Sequence, residues 1–158
     1  MWSNVASASK DITDYAYRRA TIHLDRGEVS IEELACRDLE DFLGGIGRAF
    51  KVLGNYSVTD AYAPASPLLI NLGLFSGTEL MTGLRTFFSA YSPLKVANNG
   101  MPLAMWSAAS GDFGRKLLAA GLDEVFLFGR ASKPSYLLIR RDGTQPEISL
   151  EDASDLLG

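Results

Sequence analysis

Cysteine and histidine are nearly missing from this sequence, each occurring once in 158 residues, as Cys36 and His23. Zinc and iron–sulfur sites draw on several Cys or His ligands at defined spacing, so this chain supplies no such set on its own. A lone cysteine also closes no internal disulfide, and nothing argues for an oxidising compartment. Cys36 reads as a small buried hydrophobe, and His23, between Ile22 and Leu24, as a surface or interface residue. Long apolar runs are missing too. The most apolar window, Pro67–Phe75, is too short to cross a bilayer, and Met1 to Asp14 hold no signal-peptide core. No membrane is expected as a partner, and the cytoplasm is the expected location. A basic excess is absent as well. The net charge of −4 disfavours a phosphate backbone, so no nucleic acid is expected. The basic pairs Arg18-Arg19 and Arg140-Arg141 are expected to be solvated strand ends.

Catalytic signatures are equally sparse. No Gly-x-Ser-x-Gly elbow is present, and the only histidine would have to serve any serine nucleophile. The carboxylate groups Glu32-Glu33, Asp38-Glu40-Asp41 and Asp123-Glu124 read as exposed strand or helix-start charges. No catalytic residue and no metal ligand is therefore assigned.

What is present is ordinary globular composition, 47% hydrophobic and 22% charged. The length suits one domain, expected over residues 15–158 after a polar lead-in at 1–14. Tyr15–Leu24 and Val29–Leu34 read as strands of a hairpin, turning at Asp25-Arg26-Gly27-Glu28. Arg37–Leu53 is helical, with Leu39, Phe42, Leu43, Ile46, Phe50 and Leu53 on one apolar face. Gly44, Gly45 and Gly47 interrupt it, each costing roughly 1 kcal/mol in a helix interior. They imply two short helices with a break, or a backbone closely approached by something else. Leu68–Phe75 is a buried strand, and Ser76-Gly77-Thr78 a turn. Leu84–Ala90 is a strand expected to end at Ser92-Pro93, and Asn98-Asn99-Gly100 is a turn. Leu103–Ala108 is a strand, and Asp112 caps a helix over Phe113–Ala120 that Gly121 stops. Glu124–Phe128, Ser135–Arg140 and Glu147–Leu150 complete the strands, and Asp152–Leu157 starts a helix. Strands follow one another directly at both ends of the chain. That pattern indicates an α+β fold: mostly antiparallel or mixed sheets with two or three helices.

Two segments could present backbone to an anion. Gly45-Ile46-Gly47-Arg48-Ala49-Phe50 lacks the third glycine of a dinucleotide fingerprint and follows a helix, but its break can expose free N–H groups. Ser107–Gly114 joins a strand to a helix with small residues, which let a ligand reach the main chain.

The order of these motifs resembles the N-terminal domain of the aldehyde ferredoxin oxidoreductase family, tungsten- or molybdenum-pterin enzymes. Leu43-Gly44-Gly45-Ile46-Gly47 is similar to the family's Leu-Gly-Gly-Arg-Gly, with Ile46 in place of arginine. Gly73–Thr78 resembles Gly-Pro-Leu-Thr-Gly-Thr, Thr82-Gly83-Leu84-Arg85 resembles Gly-Gly-Arg, and Ser92-Pro93-Leu94 resembles Lys-Ser-Pro-Leu. Ser110–Gly121, Gly129–Tyr136 and Asp152–Gly158 match further motifs in the same order. The resemblance implies a β-rich base on which a tungsten or molybdenum bis-pterin lies. It implies that Arg85 contacts the cofactor, its fork making paired charge-assisted hydrogen bonds to phosphate. It also implies that Ala108, Ala109, Ser110 and Gly111 correspond to a segment lending a backbone carbonyl to magnesium between the pterin phosphates. Gly45 and Gly47 join this cofactor-binding set.

The family's iron–sulfur cysteines, second pterin-binding half and substrate-site residues lie in later domains. The resemblance therefore implies a pterin shared with a larger partner subunit, no iron–sulfur cluster in this chain, and no catalysis by it alone. The activity so implied is aldehyde oxidation to carboxylate with ferredoxin as acceptor. A free-standing relative that binds a pterin, an anion or a protein without catalysis, or one that self-associates, is the alternative.

Overall fold

The computed structural model describes residues 16–35, 38–78 and 83–156. Cys36, Thr82, the lead-in 1–14 and the proposed helix start at Arg37 lie outside the described residues. The strands are β1 (Ala16–His23), β2 (Glu28–Ala35), β3 (Leu68–Leu72), β4 (Thr86–Val96), β5 (Pro102–Ala109), β6 (Glu124–Phe128), β7 (Ser135–Asp142) and β8 (Gln145–Asp152). The helices are α1 (Asp38–Phe42), α2 (Gly45–Leu53) and α3 (Phe113–Ala119), with a 3-10 turn at Ser154–Leu156. The fold is α+β, as expected. A six-stranded mixed sheet runs β2-β1-β6-β3-β4-β5, and β7 and β8 form a separate hairpin. Within the large sheet β1 and β6 are parallel, and the other neighbours are antiparallel. Among the described residues, no helix is long and apolar enough to cross a membrane.

Strand β6 shows why the sheet needs cover on both sides. Its sequence, Glu-Val-Phe-Leu-Phe, is nearly continuous apolar, the pattern of a strand buried on both faces. Phe126 and Leu69 face α2 and meet Ala49, Val52 and Leu53. Val125 and Leu127 face the other way, joining Ala20, Ile22, Leu72, Leu117 and Leu122. Leu137, Ile139 and Ile148 of the β7–β8 hairpin pack against that second cluster. Tyr91 ties β4 to the end of α2: its hydroxyl lies 2.7 Å from the Leu53 carbonyl oxygen and 2.8 Å from that of Tyr56. Burial pushes this phenol above its ordinary pKa.

Several expectations are corrected. Strand β4 does not stop at Ser92-Pro93 but continues to Val96. The pairing with β5 slips between Tyr91 and Val96, and a bulge is where a sheet tolerates proline. Ser92 Oγ accepts the Leu94 and Lys95 N–H groups there, at 3.2 and 3.0 Å. Strand β3 stops at Leu72, where Gly73 turns to bridge Gly44. Asp112 sits at the α3 N-cap without a side-chain capping bond and pairs instead with Arg115, 3.6 Å away. The continuous apolar face assumed over Leu39–Leu53 is also wrong. Leu43, Gly44 and Gly45 have φ of 54°, 72° and 55°, and this left-handed turn re-phases the chain. The inward stripe of α2 becomes Gly45, Arg48, Ala49, Val52 and Leu53, while Phe50 is exposed.

Candidate functional site

The turn between α1 and α2 is pressed against the end of β3 and the start of β4. A Cβ on Gly44 would stand 3.1 Å from the Leu72 carbonyl oxygen and 3.2 Å from the Leu74 nitrogen. A Cβ on Gly45 would meet the Phe87 ring at 2.9 Å, and one on Gly47 the Phe42 carbonyl oxygen at 2.4 Å. Of the two explanations for these glycines, both hold: the helix breaks, and the chain's own backbone and Phe87 come too close for a side chain. Asn71 Nδ2 donates to the Gly45 carbonyl oxygen at 2.8 Å and fixes the turn from the sheet.

This packing leaves a hollow of about 320 Å³. Its floor is Gly44–Gly47, its walls are Gly73–Ser76 and Phe87, and Arg85 stands at its rim. The α2 N-terminus opens into it without a side-chain cap. First-turn N–H groups lack intrahelical acceptors and carry partial positive charge. Arg85 is exposed and is the one charged side chain among the described lining residues. Ser76 Oγ lies 3.4 Å from the Arg85 carbonyl oxygen, linking the two walls. Ile46, where the family motif has arginine, lines the same hollow, which is therefore more apolar on that side. An anion attached to a flat, partly apolar body suits these surroundings.

Gly45, Gly47 and Arg85 thus come together, and Ala108–Gly111 comes near without joining the hollow's wall. Ala108 pairs with Phe87 and Ala109 with Thr86, the residue after Arg85. Ser110 and Gly111 follow at this edge, and Gly111 has φ of 121° with nothing within 4 Å of its would-be Cβ. A larger hollow, about 500 Å³, lies across the Gly73–Ser76 segment and takes in Tyr17, Arg115 and Asp123, but none of the residues assigned from sequence.

Beneath the glycine turn lies a feature the sequence reading missed. Asp123 and Glu124 are not exposed: their relative exposures are 8% and 0%. Glu124 Oε2 accepts from Arg48 Nε at 3.0 Å, and Glu124 Oε1 accepts from Arg19 Nε at 2.6 Å. Arg48 also stands over the Tyr17 ring, 4.4 Å from its centroid. Arg19 is hence not a solvated strand end, whereas Arg18 pairs with Glu33 at the surface, 2.7 Å away. Asp123 Oδ2 accepts the Arg18 N–H at 2.9 Å. The signal was available: a glutamate opening an apolar central strand requires a cation, and Arg48 lies on the inward stripe with Ala49 and Val52. His23 is half-buried and stacks on Phe128, centroids 5.2 Å apart. Among the described residues, no group of three or more His, Cys, Asp or Glu is placed to hold a metal ion.

Comparison with known proteins decides the family. The family model "Aldehyde ferredoxin oxidoreductase, N-terminal domain" matches residues 19–158. The chain belongs to the aldehyde ferredoxin oxidoreductase N-terminal domain family. It is 30% identical over 143 residues to the tungsten-containing aldehyde ferredoxin oxidoreductase of Pyrococcus furiosus, matching 87% of this chain and 21% of that protein. It is 30% identical over 151 residues to an aliphatic sulfonate oxidoreductase, WOR-like subunit, of the same organism, covering 91% of this chain and 22% of the relative. Among solved structures, the active site complex BamBC of benzoyl coenzyme A reductase superposes with a TM-score of 0.76 at 27% identity. That match covers 88% of this chain and 20% of the other. The chain thus spans about a fifth of the length of these relatives. These residues match the family's N-terminal domain.

Proposed function

We propose that this domain is the bed for one limb of a metal-bound pterin, completed by a larger partner subunit that carries the remaining oxidoreductase domains. The observation that carries this is the meeting of Arg85 with the uncapped α2 N-terminus around one hollow. An anionic group bound there is held by a guanidinium fork and by main-chain N–H groups. Phe75 and Phe87 line the hollow and would offer apolar rings to the rest of such a group. The residues fit one such limb: about 320 Å³ lies at the small end of the range of about 300–1,000 Å³ usual for ligand pockets. Ala108–Gly111, at the adjoining β4–β5 end, would hold the remainder of a bis-pterin, with open space shown at Gly111. Asp112, next in the chain, has its charge partnered by Arg115.

When bound, the metal–pterin group supplies two-electron redox chemistry, in the family sense the oxidation of an aldehyde to a carboxylate with ferredoxin as acceptor. This chain's residues bind and orient it. Their packed glycine floor excludes water from one side, and no proton transfer is assigned to them.

The test is co-expression with a larger chain carrying the family's remaining oxidoreductase domains, under tungstate or molybdate. The purified complex should contain metal and show pterin fluorescence after oxidation, both reduced by Arg85→Ala. A complex free of metal and pterin would overturn the reading. Ile46 in the hollow favours a second version, in which the domain binds a single pterin or another anion without catalysis. A complex that retains pterin without metal or activity would select that version.

A further inference from the structure

The two edges of the six-stranded sheet are built differently. At one edge β2 carries Glu28, Glu32 and Glu33, whose charges guard an open ladder against pairing with another chain. At the other edge β5 reads Pro-Leu-Ala-Met-Trp-Ser-Ala-Ala, without a charge and with its proline only at the first position. Leu103, Met105 and Trp106 are 46%, 38% and 48% exposed there. Unprotected edges of this length and hydrophobicity pair with a further strand.

We propose that the occupant is β5 of a second copy, joined antiparallel so that two sheets become one. The strand is complementary to itself in size, and it carries no charge that would repel a second copy. An axis normal to the sheet pairs residues of equal parity, because sheet faces must match. Centred on Met105, such an axis sets Trp106 against Ala104 of the second copy and Leu103 against Ser107, large against small in each case. The side chains flanking Trp106 on its face of the sheet, Ala104 and Ala108, leave it that room. No like charges oppose one another, whereas the same union through β2 would bring glutamates together. The proposal stands on the sheet edge alone and does not depend on pterin binding.

The experiment is sedimentation equilibrium of the isolated full chain across the micromolar range. A dimer of twice 17.1 kDa is expected. Met105→Lys places two lysines directly opposite across the axis and should weaken association at least tenfold. Met105→Glu should do the same, and an equimolar mixture of the two variants should restore the dimer. Ser107→Lys, at an exposed position, provides a second disrupting change, and Ile31→Lys on β2 should leave association intact. Circular dichroism confirms that each variant is folded. A chain that is monomeric throughout, even one that binds a larger subunit through β5, overturns the proposal. So does a dimer unaffected by both β5 lysines.

Discussion

Arg48 reaches from α2 down onto Glu124 of the central strand, Nε to Oε2 at 3.0 Å, where both side chains are almost wholly buried. The pair joins the helix that begins the candidate site to the strand at the middle of the sheet. Removing one partner leaves an uncompensated charge in the interior, which costs about 3–5 kcal/mol. Glu124→Ala is therefore expected to lower stability by about that amount, read from urea unfolding. Arg48→Met should cost less, because Arg19 still satisfies the carboxylate.

The glycine turn separates steric demand from conformational demand. Gly47→Ala would drive a Cβ against the Phe42 carbonyl oxygen at 2.4 Å, where backbone must move. A loss of about 1–3 kcal/mol is expected, the range for forced overpacking. Gly100→Ala, at φ of 80° with nothing within 4 Å, reports the backbone strain alone. Thermal unfolding of both variants gives the comparison. Equal losses at the two positions would refute the close-packed turn.

Arg85 is exposed and makes no ion pair among the described residues. Arg85→Ala should change stability by less than about 0.5 kcal/mol, as surface changes usually do. Anion or pterin retention should nonetheless fall. A stability loss as large as that of Glu124→Ala would make Arg85 a structural residue instead.

Asp152 accepts from Lys133, from Ser154 Oγ at 2.5 Å and from the Ser154 N–H at 2.8 Å. The Lys133 hydrogen bond, then those from Ser154, holds its carboxyl below the usual carboxylate range. The unfolded chain therefore binds this proton first as acid is added. The contribution to stability is complete above the usual carboxylate pKa of about 3.9 and is lost progressively as pH falls below it. Asp152→Asn should flatten the melting-temperature profile between about pH 4 and pH 2, the acid side of that ordinary value. An unchanged slope would show that the clasp contributes nothing in solution.

Much of the fold was legible because local patterns and packing agree. The β1–β2 hairpin, the α3 stop at Gly121 and the Asp142-Gly143 turn follow from turn chemistry and periodicity. The α2 stripe was misread because periodicity assumes one helical phase, and three consecutive positive φ values reset it. Glu124 was misread because its burial depends on an arginine 76 residues earlier and another 105 residues earlier. The strand's composition calls for a cation beside Glu124 but does not say which residue supplies it. Of the residues around the hollow, Gly45 and Gly47 stood out as breaks in a helical pattern, and Arg85 through motif resemblance. Phe87 and Asn71, which shape the same turn, carried no motif.

Strand order has a consequence for synthesis. The β1–β2 hairpin belongs beside β6, and Arg19 meets Glu124 across 105 residues of chain. Emerging from a ribosome, the hairpin would wait for its neighbour until translation had passed Phe128. At about 5–20 residues per second that interval is several seconds at least, during which an apolar strand face lies open. The guarding glutamates of β2 would then serve the nascent chain as much as the finished one.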